Sequence, residues 1–336
     1  MPSSASPLVS VVIPVYNGEE FIAEAIRSVL AQTYTNWDLT VGNNCSTDRT
    51  VTIAEEFAAR DPRIRIHTYP QFLNVIDSHS MAFTLVSDQA EYCKILDADD
   101  WLFPTCLEEM VKVAEAHPTI GMVASYVLNG VTVQAAGLPY PSTFMTGREV
   151  CRLRLLNEIK VFGGPSASLI RASIAREKRP FYNPANYHGD IEAYLDLLRD
   201  HDFGYVHQVL SYTRKGEASP TTYRLSQLHS DFAQDLDEVT KFGPVYLTPQ
   251  ECAVRLKEVT RAYYRLLGSS AVALRGREFW DYHLRQVRGM GYRLSYARIA
   301  WHAALRIADI VGNPKRTIEA VFRRLSDRLE RKGGPR

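Results

Sequence analysis

Three aspartates directly follow a run of apolar residues in the segment KILDADDWLFP, which spans residues 94–104. They are Asp97, Asp99 and Asp100. A carboxylate cluster at the edge of a core is costly through desolvation and repulsion, unless a cation, N–H donors or open water offset it. In an extended stretch Asp97 and Asp99 point to the same side, and Mg²⁺ or Mn²⁺ prefers such oxygen ligands. The segment therefore predicts either a metal site or a solvated loop whose aspartates cap the helix starting near Pro104.

The elements that must position these aspartates alternate between strand and helix. β-Branched or apolar runs predict strands at residues 8–15, 37–44, 64–70, 92–100 and 120–128. Helical spacing of apolar residues predicts helices at 19–34, 46–61, 75–90 and 104–118, the second of them capped by Ser46 or Thr47. This α/β alternation implies right-handed crossovers and a mostly parallel sheet flanked by helices. Ligands of such sheets bind beyond the carboxyl ends of the strands, which is where the acidic segment lies.

Composition and charge narrow the class of protein. With 336 residues, 46% of them hydrophobic, the chain can bury a substantial core. From Glu251 onward 19 Lys and Arg stand against 8 Asp and Glu, a net charge of +11, whereas the first 250 residues carry 20 against 30, a net charge of −10. Five cysteines without a CxxC pair favour reduced thiols in a cytosolic protein. We expect neither a signal peptide nor a membrane span, and hence a cytoplasmic location.

The order of these segments carries a family resemblance. The stretch VSVVIPVYNGEEFIAEAIRSVLAQTYTNWDLTVGNNCSTDRT, followed by KILDADDWLFPTCLEEM, resembles glycosyltransferase family 2 with the GT-A fold. The segments GGPSASLIR and HGDIEAYLDLLRDHDFGYVHQVLSYTR are more weakly similar to its acceptor-side half. The resemblance implies an inverting enzyme that depends on Mn²⁺ or Mg²⁺. It would move sugar from a nucleotide-diphospho-sugar to an acceptor hydroxyl in polysaccharide or glycoconjugate synthesis.

The first two loops match the family's nucleotide-binding positions. By resemblance, Pro14, Val15 and Tyr16 form the first nucleotide-binding loop, with the aromatic ring beside the base; Tyr16 could also be an ordinary strand-end aromatic. Asn43 and Asn44 stand where the family usually has Asp-Asp or Asp-Asn to read the base edge, or they are turn residues. Because an asparagine can donate as well as accept hydrogen bonds, the base could differ from the common uracil.

The diphosphate end of the site follows from the same resemblance. Asp97 and Asp99 match the DxD motif, with Ala98 between them in the nucleotide-sugar site and Asp99 the direct metal ligand. Arg214, in SYTR, matches a basic position near the diphosphate.

Asp190 matches the family's general base. Glu192 is its competitor because both precede the same helix, and His188 is expected to be a surface or packing residue. In this mechanism the base deprotonates the acceptor hydroxyl as it attacks the anomeric carbon, so it must lie across the cleft from the metal.

We predict a GT-A catalytic domain over residues 1–225, divided into a nucleotide-sugar-binding half at 8–130 and an acceptor-side half at 131–225. A basic helical region follows at 226–336, and it combines arginines with aromatic residues, namely Trp280, Tyr282, Tyr292, Tyr296 and Trp301. Such a region could contact anionic lipid at the inner face of a membrane and suit a lipid-linked acceptor instead of a sugar acceptor. Alternatively, it is a helical bundle that packs on the catalytic domain or on a second subunit of a homo-oligomer. Nucleic-acid binding is not expected, since no known module is present.

Three other functions are alternatives to sugar transfer. A sugar nucleotidyltransferase usually has a Gly- and Arg-rich loop after the first strand, which PVYNGEEF lacks. A dinucleotide-dependent oxidoreductase would show GxGxxG there. A catalytically inactive relative that only binds nucleotide-sugar is compatible with Asn43 and Asn44, but the intact DADD segment and Asp190 argue against it.

Overall fold

The computed structural model describes residues 6–186, 188–214 and 220–313. Within these ranges the chain forms two compact units. The first comprises the chain up to Pro220 together with Val245–Leu247, and the second comprises Thr221–Pro244 and the chain from Thr248 onward.

A single mixed sheet organises the described part of the first unit. Its strands are β1 Val9–Val15, β2 Trp37–Asn43, β3 Ile64–Thr68, β4 Tyr92–Ile95, β5 Trp101–Leu102, β6 Ile120–Asn129, β7 Thr132–Gln134, β8 Phe144–Met145, β9 Ser168–Arg171 and β10 Asp202–Thr213. Their order is β3-β2-β1-β4-β9-β6-β10-β5, with β7 on β6 and β8 on β10. The pairs β1–β2, β2–β3, β1–β4 and β6–β10 are parallel, which confirms the α/β architecture with a mostly parallel sheet.

Helices pack against the sheet because each helix buries its apolar side there. In the first unit they are α1 Ile22–Leu30, α2 Thr50–Ala58, α3 Val75–Thr84, α4 Cys106–Ala116, α5 Gly147–Leu155, α6 Ala172–Glu177 and α7 Gly189–Leu197, with a short 3-10 turn at Pro165–Ala167. Helix α1, for example, buries Ile22, Ala25, Ile26 and Val29 in the main core, together with β1 and β2 side chains. At these positions the periodicity of the sequence places apolar groups on one face.

The predicted cap of the second helix is wrong. Helix α2 begins at Thr50 after Arg49, which provides no side-chain cap. Ser46 instead accepts a hydrogen bond from the Asn17 N–H at 3.0 Å, and Asp48 accepts one from the Thr50 N–H at 3.0 Å. The polar residues after β2 therefore tie together the loops that follow the first two strands, and the helix starts later than its sequence pattern suggested.

The second unit is helical, as the sequence predicted. It contains α8 Pro220–Leu228, most of α9 Ser230–Tyr246, α10 Pro249–Val272, α11 Arg277–Gly289 and α12 Tyr296–Gly312. Helix α10 starts with a capping box between Thr248 and Glu251. His283 of α11 is buried and bonded on both ring nitrogens, to the Tyr263 hydroxyl at 2.8 Å and the Leu228 carbonyl at 2.9 Å. Across the described ranges, no helix has the length and apolar content that a bilayer crossing requires.

Candidate active site

The predicted site residues meet at one edge of the sheet because their strands run in the same direction. Strands β1, β2 and β4 are parallel neighbours. Strand β9 runs antiparallel to both β4 and β6, and β6 is parallel to β10, so β10 also ends at this edge. Asn43 is the last residue of β2, and Tyr16, Asp97 and Arg214 follow the ends of β1, β4 and β10. All four therefore lie at the edge where ligands of parallel sheets bind.

The acidic segment is a turn, not the extended stretch assumed from the sequence. Strand β4 ends at Ile95, and the Asp100 N–H donates to the Asp97 carbonyl at 3.0 Å. The Asp97 N–H donates to the Ser166 hydroxyl at 3.0 Å. The turn forms because these local bonds satisfy the main chain after its last ladder contact, Leu96 N–H to the Val12 carbonyl at 2.9 Å.

In this turn, the charged forms of Asp99 and Asp100 are destabilised. Asp100 is buried and accepts bonds from the Thr213 hydroxyl and the Arg214 N–H, each at 3.2 Å. Burial, and then the charge of Asp97, raise the pKa of Asp100 to about 8. Burial and Asp97 also raise the pKa of Asp99 above its ordinary value. This is the electrostatic cost that a cation at the site would relieve.

His79 on α3 is the direct partner of Asp97. Its Nε2 lies 2.7 Å from the Asp97 Oδ1, and its Nδ1 lies 2.8 Å from the Val75 carbonyl. Because a carbonyl only accepts, Nδ1 carries a proton. Burial opposes a charged imidazole, but Asp97 outweighs it, and the pKa of His79 is raised overall. The ion pair holds one oxygen of Asp97 toward α3.

Asp190 lies in the first turn of α7 and faces the same group of side chains as Asp97. Burial is the main cause that raises the pKa values of Tyr182 and Tyr194, and the charges of Asp190 and Asp97 raise them further. The charge of Asp190 also raises the pKa of His79, which burial opposes. Burial raises the pKa of Asp190 itself, against the opposing effect of His188. The Tyr194 hydroxyl lies 3.0 Å from the Ser168 hydroxyl, and among the described residues the buried Tyr182 hydroxyl has no hydrogen-bond partner. Asp190 and Asp97 thus border one cluster.

Glu192 has a structural environment that differs from that of Asp190. It is buried, and its carboxylate accepts bonds from the side-chain amides of Asn183, at 3.2 Å, and of Asn186, at 2.7 Å. These bonds hold the segment before α7. Asp190 lies two positions earlier in the sequence, and the charges that act on it are those of His188 and of Asp97 in the acidic turn.

Two exposed aromatic rings stand beside the ends of β1 and β2. Pro14 and Val15 are buried in β1, whereas Tyr16 is 49% exposed. Its ring packs edge-on against Phe72, which is 57% exposed, with ring centroids 4.8 Å apart. Asn44 positions the Phe72 loop: its amide group exchanges two hydrogen bonds of 2.8 Å with the main chain of Leu73. The pair could flank a planar ligand.

Asn43 and Ala98 connect neighbouring loops. The Asn43 side chain accepts a bond from the Ser46 N–H at 3.0 Å and donates to the Thr68 hydroxyl at 3.2 Å. Ala98 lies close to the loop after β1: a Cβ atom added to Gly18 would lie 3.8 Å from the Cβ atom of Ala98. Like Asn44, Asn43 is nearly fully buried, so the base contact foreseen for both residues stays a prediction.

Arg214 is placed beside the acidic turn. Its Nη2 pairs with Glu24 of α1 at 2.6 Å, and its Nε donates to the Asp99 carbonyl at 3.3 Å. The guanidinium also lies 4.5 Å from the ring centre of Phe21. The basic group predicted near a diphosphate therefore lies next to Asp99, on the side of α1.

The donor chemistry of the turn fits a hard cation. Among the residues that the structure describes, no group of three or more His, Cys, Asp or Glu could hold a metal ion. Within this described part of the chain, however, the Asp99 carboxylate accepts no hydrogen bond from another residue, and Asp97 uses one oxygen for His79 and leaves its second oxygen without a partner. Two carboxylates completed by phosphate and water oxygens suit Mg²⁺ or Mn²⁺.

Several residues of this cluster could not have been identified from sequence patterns. His79 is a single histidine in a helix, and no spacing relates it to Asp97 eighteen positions later. Phe72 lies in a segment without periodicity. Ser166 lies within GGPSASLIR, which the resemblance singled out only as a segment.

Comparisons with known proteins agree with this architecture. The family model described as Glycosyl transferase family 2 matches residues 10–177. An uncharacterized glycosyltransferase of Haemophilus influenzae is 32% identical over 184 residues, which cover 53% of this chain and 55% of the relative. The chain thus aligns with about half the length of that relative.

Two solved structures share the fold. S. aureus TarS 1-349 in complex with UDP-GlcNAc superposes with a TM-score of 0.61 at 15% identity, over 94% of this chain and 91% of TarS. The mannosyltransferase PcManGT of Pyrobaculum calidifontis, in complex with GDP-Man and Mn²⁺, gives 0.52 at 16% identity, over 91% and 88%. These likenesses confirm the GT-A fold, and with the family match over half of the sequence they establish that the chain belongs to glycosyl transferase family 2.

Proposed function

We propose that this protein transfers a sugar from a nucleotide-diphospho-sugar to an acceptor hydroxyl with inversion at the anomeric carbon, in polysaccharide or glycoconjugate synthesis. The observation that carries the proposal is that Asp97 pairs with His79 at 2.7 Å, that the His79 ring centre lies 6.5 Å from that of Tyr182, and that the charges of both Asp97 and Asp190 act on Tyr182. Within residues 1–225, the proposed catalytic domain, the half at 8–130 would hold the donor and the half at 131–225 the acceptor.

The donor is proposed to lie across the strand ends. Tyr16 and Phe72 would flank the base at the exposed end of β1. Asp97, Ala98 and Arg214 would border the diphosphate and the sugar, since all three lie at the acidic turn. The UDP-GlcNAc of TarS and the GDP-Man of PcManGT support a nucleotide-sugar as the class of donor, and they leave its base open.

The acceptor hydroxyl is proposed to give its proton to Asp190. A carboxylate whose pKa is raised by burial, as that of Asp190 is, is a stronger base than an exposed carboxylate. Asp190 lies on the acceptor-side half, so it can approach the hydroxyl from the face opposite the departing diphosphate. That placement favours inversion.

Asp99, with Asp97, is proposed to hold Mn²⁺ or Mg²⁺. When bound, such a cation neutralises charge on a diphosphate leaving group. The protein's own contribution is to hold Asp97 at the strand edge. Ser166 accepts a hydrogen bond from the Asp97 N–H, and His79 pairs with the Asp97 carboxylate.

A donor screen tests the proposed activity. The protein is incubated with UDP-, GDP- and TDP-sugars, with Mn²⁺ or with EDTA, and release of nucleoside diphosphate is measured. We expect slow hydrolysis of at least one donor, and only with the cation. Binding without hydrolysis would identify a non-catalytic relative, and formation of pyrophosphate from a nucleoside triphosphate and a sugar phosphate would identify a nucleotidyltransferase.

Asn44→Asp is expected to weaken nucleotide binding by about fivefold, which corresponds to the loss of one hydrogen bond of about 1 kcal/mol. An aspartate retains the acceptor for the Leu73 N–H but sets a second oxygen against the Leu73 carbonyl, where Asn44 now donates. Calorimetry with UDP, GDP and TDP measures the effect. A changed preference among the bases would support direct base contact, an equal loss would assign Asn44 to holding the Phe72 loop, and unchanged affinities would exclude both roles.

A further inference from the structure

One side of α12 presents apolar residues to solvent. Trp301, Leu305, Ile307 and Val311 are exposed, with alanines between them over residues 297–308. At about 100° per residue these positions cover roughly 160° of the helix circumference without a charged side chain. We call them the α12 apolar face. Trp301 is 64% exposed and Val311 is 74% exposed, so the described chain leaves this face uncovered.

The opposite side of α12 fixes the orientation of this face. Ile299 is buried, and α12 packs on α10 so closely that a Cβ added to Gly268 would lie 2.5 Å from the Cβ of His302. An exposed apolar stripe on a helix is typical of a contact with another protein or with a membrane. Since the described residues pack against only one side of α12, they leave the α12 apolar face available for an apolar partner.

A cavity at the start of α12 is lined by two positively charged side chains. It has a volume of about 580 Å³, lies between the end of α11 and the start of α12, and is lined by Arg288, Tyr292, Arg293 and Tyr296 among others. No carboxylate lines it. Throughout the described ranges, neither of the two guanidinium groups has a hydrogen bond, an ion pair or a ring contact. Two unpaired arginines in a concave site are suited to an anion with several oxygens, such as a phosphate.

The cavity and the apolar face are continuous, because Tyr296 lines the first and is the first residue of α12. Together they form what we call the docking surface: Arg288, Tyr292, Arg293 and Tyr296 with the α12 apolar face. Its chemistry combines anion-binding groups, interfacial aromatic rings and an apolar strip. These are the features of elements that lie in the interface of a bilayer, with phosphate headgroups beside apolar chains.

We propose that the docking surface binds the surface of an anionic lipid bilayer, with headgroup phosphates in the arginine cavity and the α12 apolar face in the acyl boundary. Charge decides between this partner and a second copy of the chain. From Glu251 onward the chain has 19 basic and 8 acidic residues, so two such surfaces would repel each other, whereas an anionic bilayer attracts them. The proposal is independent of the proposed sugar transfer.

Vesicle co-sedimentation of the full chain tests this proposal. We expect binding to vesicles of phosphatidylglycerol and phosphatidylcholine, weakened by salt, and no binding to phosphatidylcholine alone. The double variant Arg288→Gln/Arg293→Gln should bind about 25-fold more weakly, because each arginine contributes a factor of about five to the affinity. Trp301→Ser/Leu305→Ser should lose about tenfold or more, since less apolar area enters the bilayer.

Arg277→Gln is the matched control. It removes one positive charge at the start of α11, where Arg277 is 93% exposed at its side chain and paired with Asp281, and it should reduce binding much less than Arg288→Gln alone. An equal loss in the control, or no vesicle binding by the wild type, would overturn the proposal. If light scattering shows a dimer that Trp301→Ser/Leu305→Ser dissociates, a second copy covers the face. If that variant lowers the Tm of a monomer, the chain covers the face itself.

Discussion

Asp99→Asn is expected to reduce sugar transfer by about 10³-fold or more and to abolish the cation-dependent part of nucleotide binding. The reason is electrostatic: a cation at a diphosphate supplies several kcal/mol of charge stabilisation, and an amide oxygen is a weaker ligand than a carboxylate. The fold should survive. Burial and the charge of Asp97 already raise the pKa of Asp99, so a neutral side chain relieves repulsion and should leave Tm unchanged or higher.

Two measurements separate this prediction from a loss of structure. Calorimetry of UDP and GDP with Mn²⁺ and with EDTA reports cation-dependent affinity without turnover, and nucleoside diphosphate release reports activity. Asp88→Asn is the matched control, because Asp88 is exposed in the loop before β4, at the opposite end of that strand. Turnover and Mn²⁺-dependent affinity that match the wild type in Asp99→Asn would show that Asp99 is not the metal ligand.

The alternation of strand and helix patterns in the sequence correctly predicted the parallel sheet and the edge at which the candidate site lies. The alternation of β-branched and amphipathic segments fixes the parallel crossovers, and strand direction then places the ends of β1, β2 and β4 at one edge. This is why Tyr16, Asn43 and Asp97 could be expected together without coordinates. The same reasoning assumed an extended conformation through Asp99. It did not foresee that the Asp97 carbonyl accepts the Asp100 N–H and turns the chain.

The hydrogen-bond and ion-pair partners of these residues were harder to predict from the sequence, because long-range packing determines them. His79 reaches Asp97 only because α3 lies along the sheet, where Phe83 stacks on Phe181 with ring centres 3.8 Å apart. No local pattern encodes that contact. Likewise, the sequence could not show that Arg214 pairs with Glu24, which lies 190 positions earlier. Residue types at strand ends are thus predictable, whereas the side chains that orient them depend on tertiary contacts.

Asp190→Asn is expected to lower kcat by about 10²-fold or more, with donor affinity nearly unchanged. An asparagine has nearly the same volume but cannot take the acceptor proton. Donor binding should persist because the loops that border the nucleotide, at the ends of β1 and β2, do not include α7. Calorimetry with nucleoside diphosphate and the turnover of a hydrolysed donor measure the two quantities separately.

The pH dependence gives this prediction a second readout. Burial raises the pKa of Asp190 above the ordinary value of an aspartate, and a base acts only when it is ionised. Activity should therefore be lost as the pH falls through this raised pKa, at a higher pH than an exposed aspartate would give, and be retained above it. In Asp190→Asn this acid limb of kcat/KM should disappear, and the residual rate should be flat over the same range.

Glu192→Gln distinguishes the base from its neighbour. The Glu192 carboxylate accepts from the amides of Asn183 and Asn186, so a glutamine would set its NH₂ group against one of these donors. We expect a lower Tm, since an unpaired buried donor costs about 1–3 kcal/mol, together with a kcat within a few-fold of the wild type. If Glu192→Gln instead lowers kcat more than Asp190→Asn and removes the acid limb, the base is Glu192, and Asp190 only shapes the electrostatics of the His79 cluster.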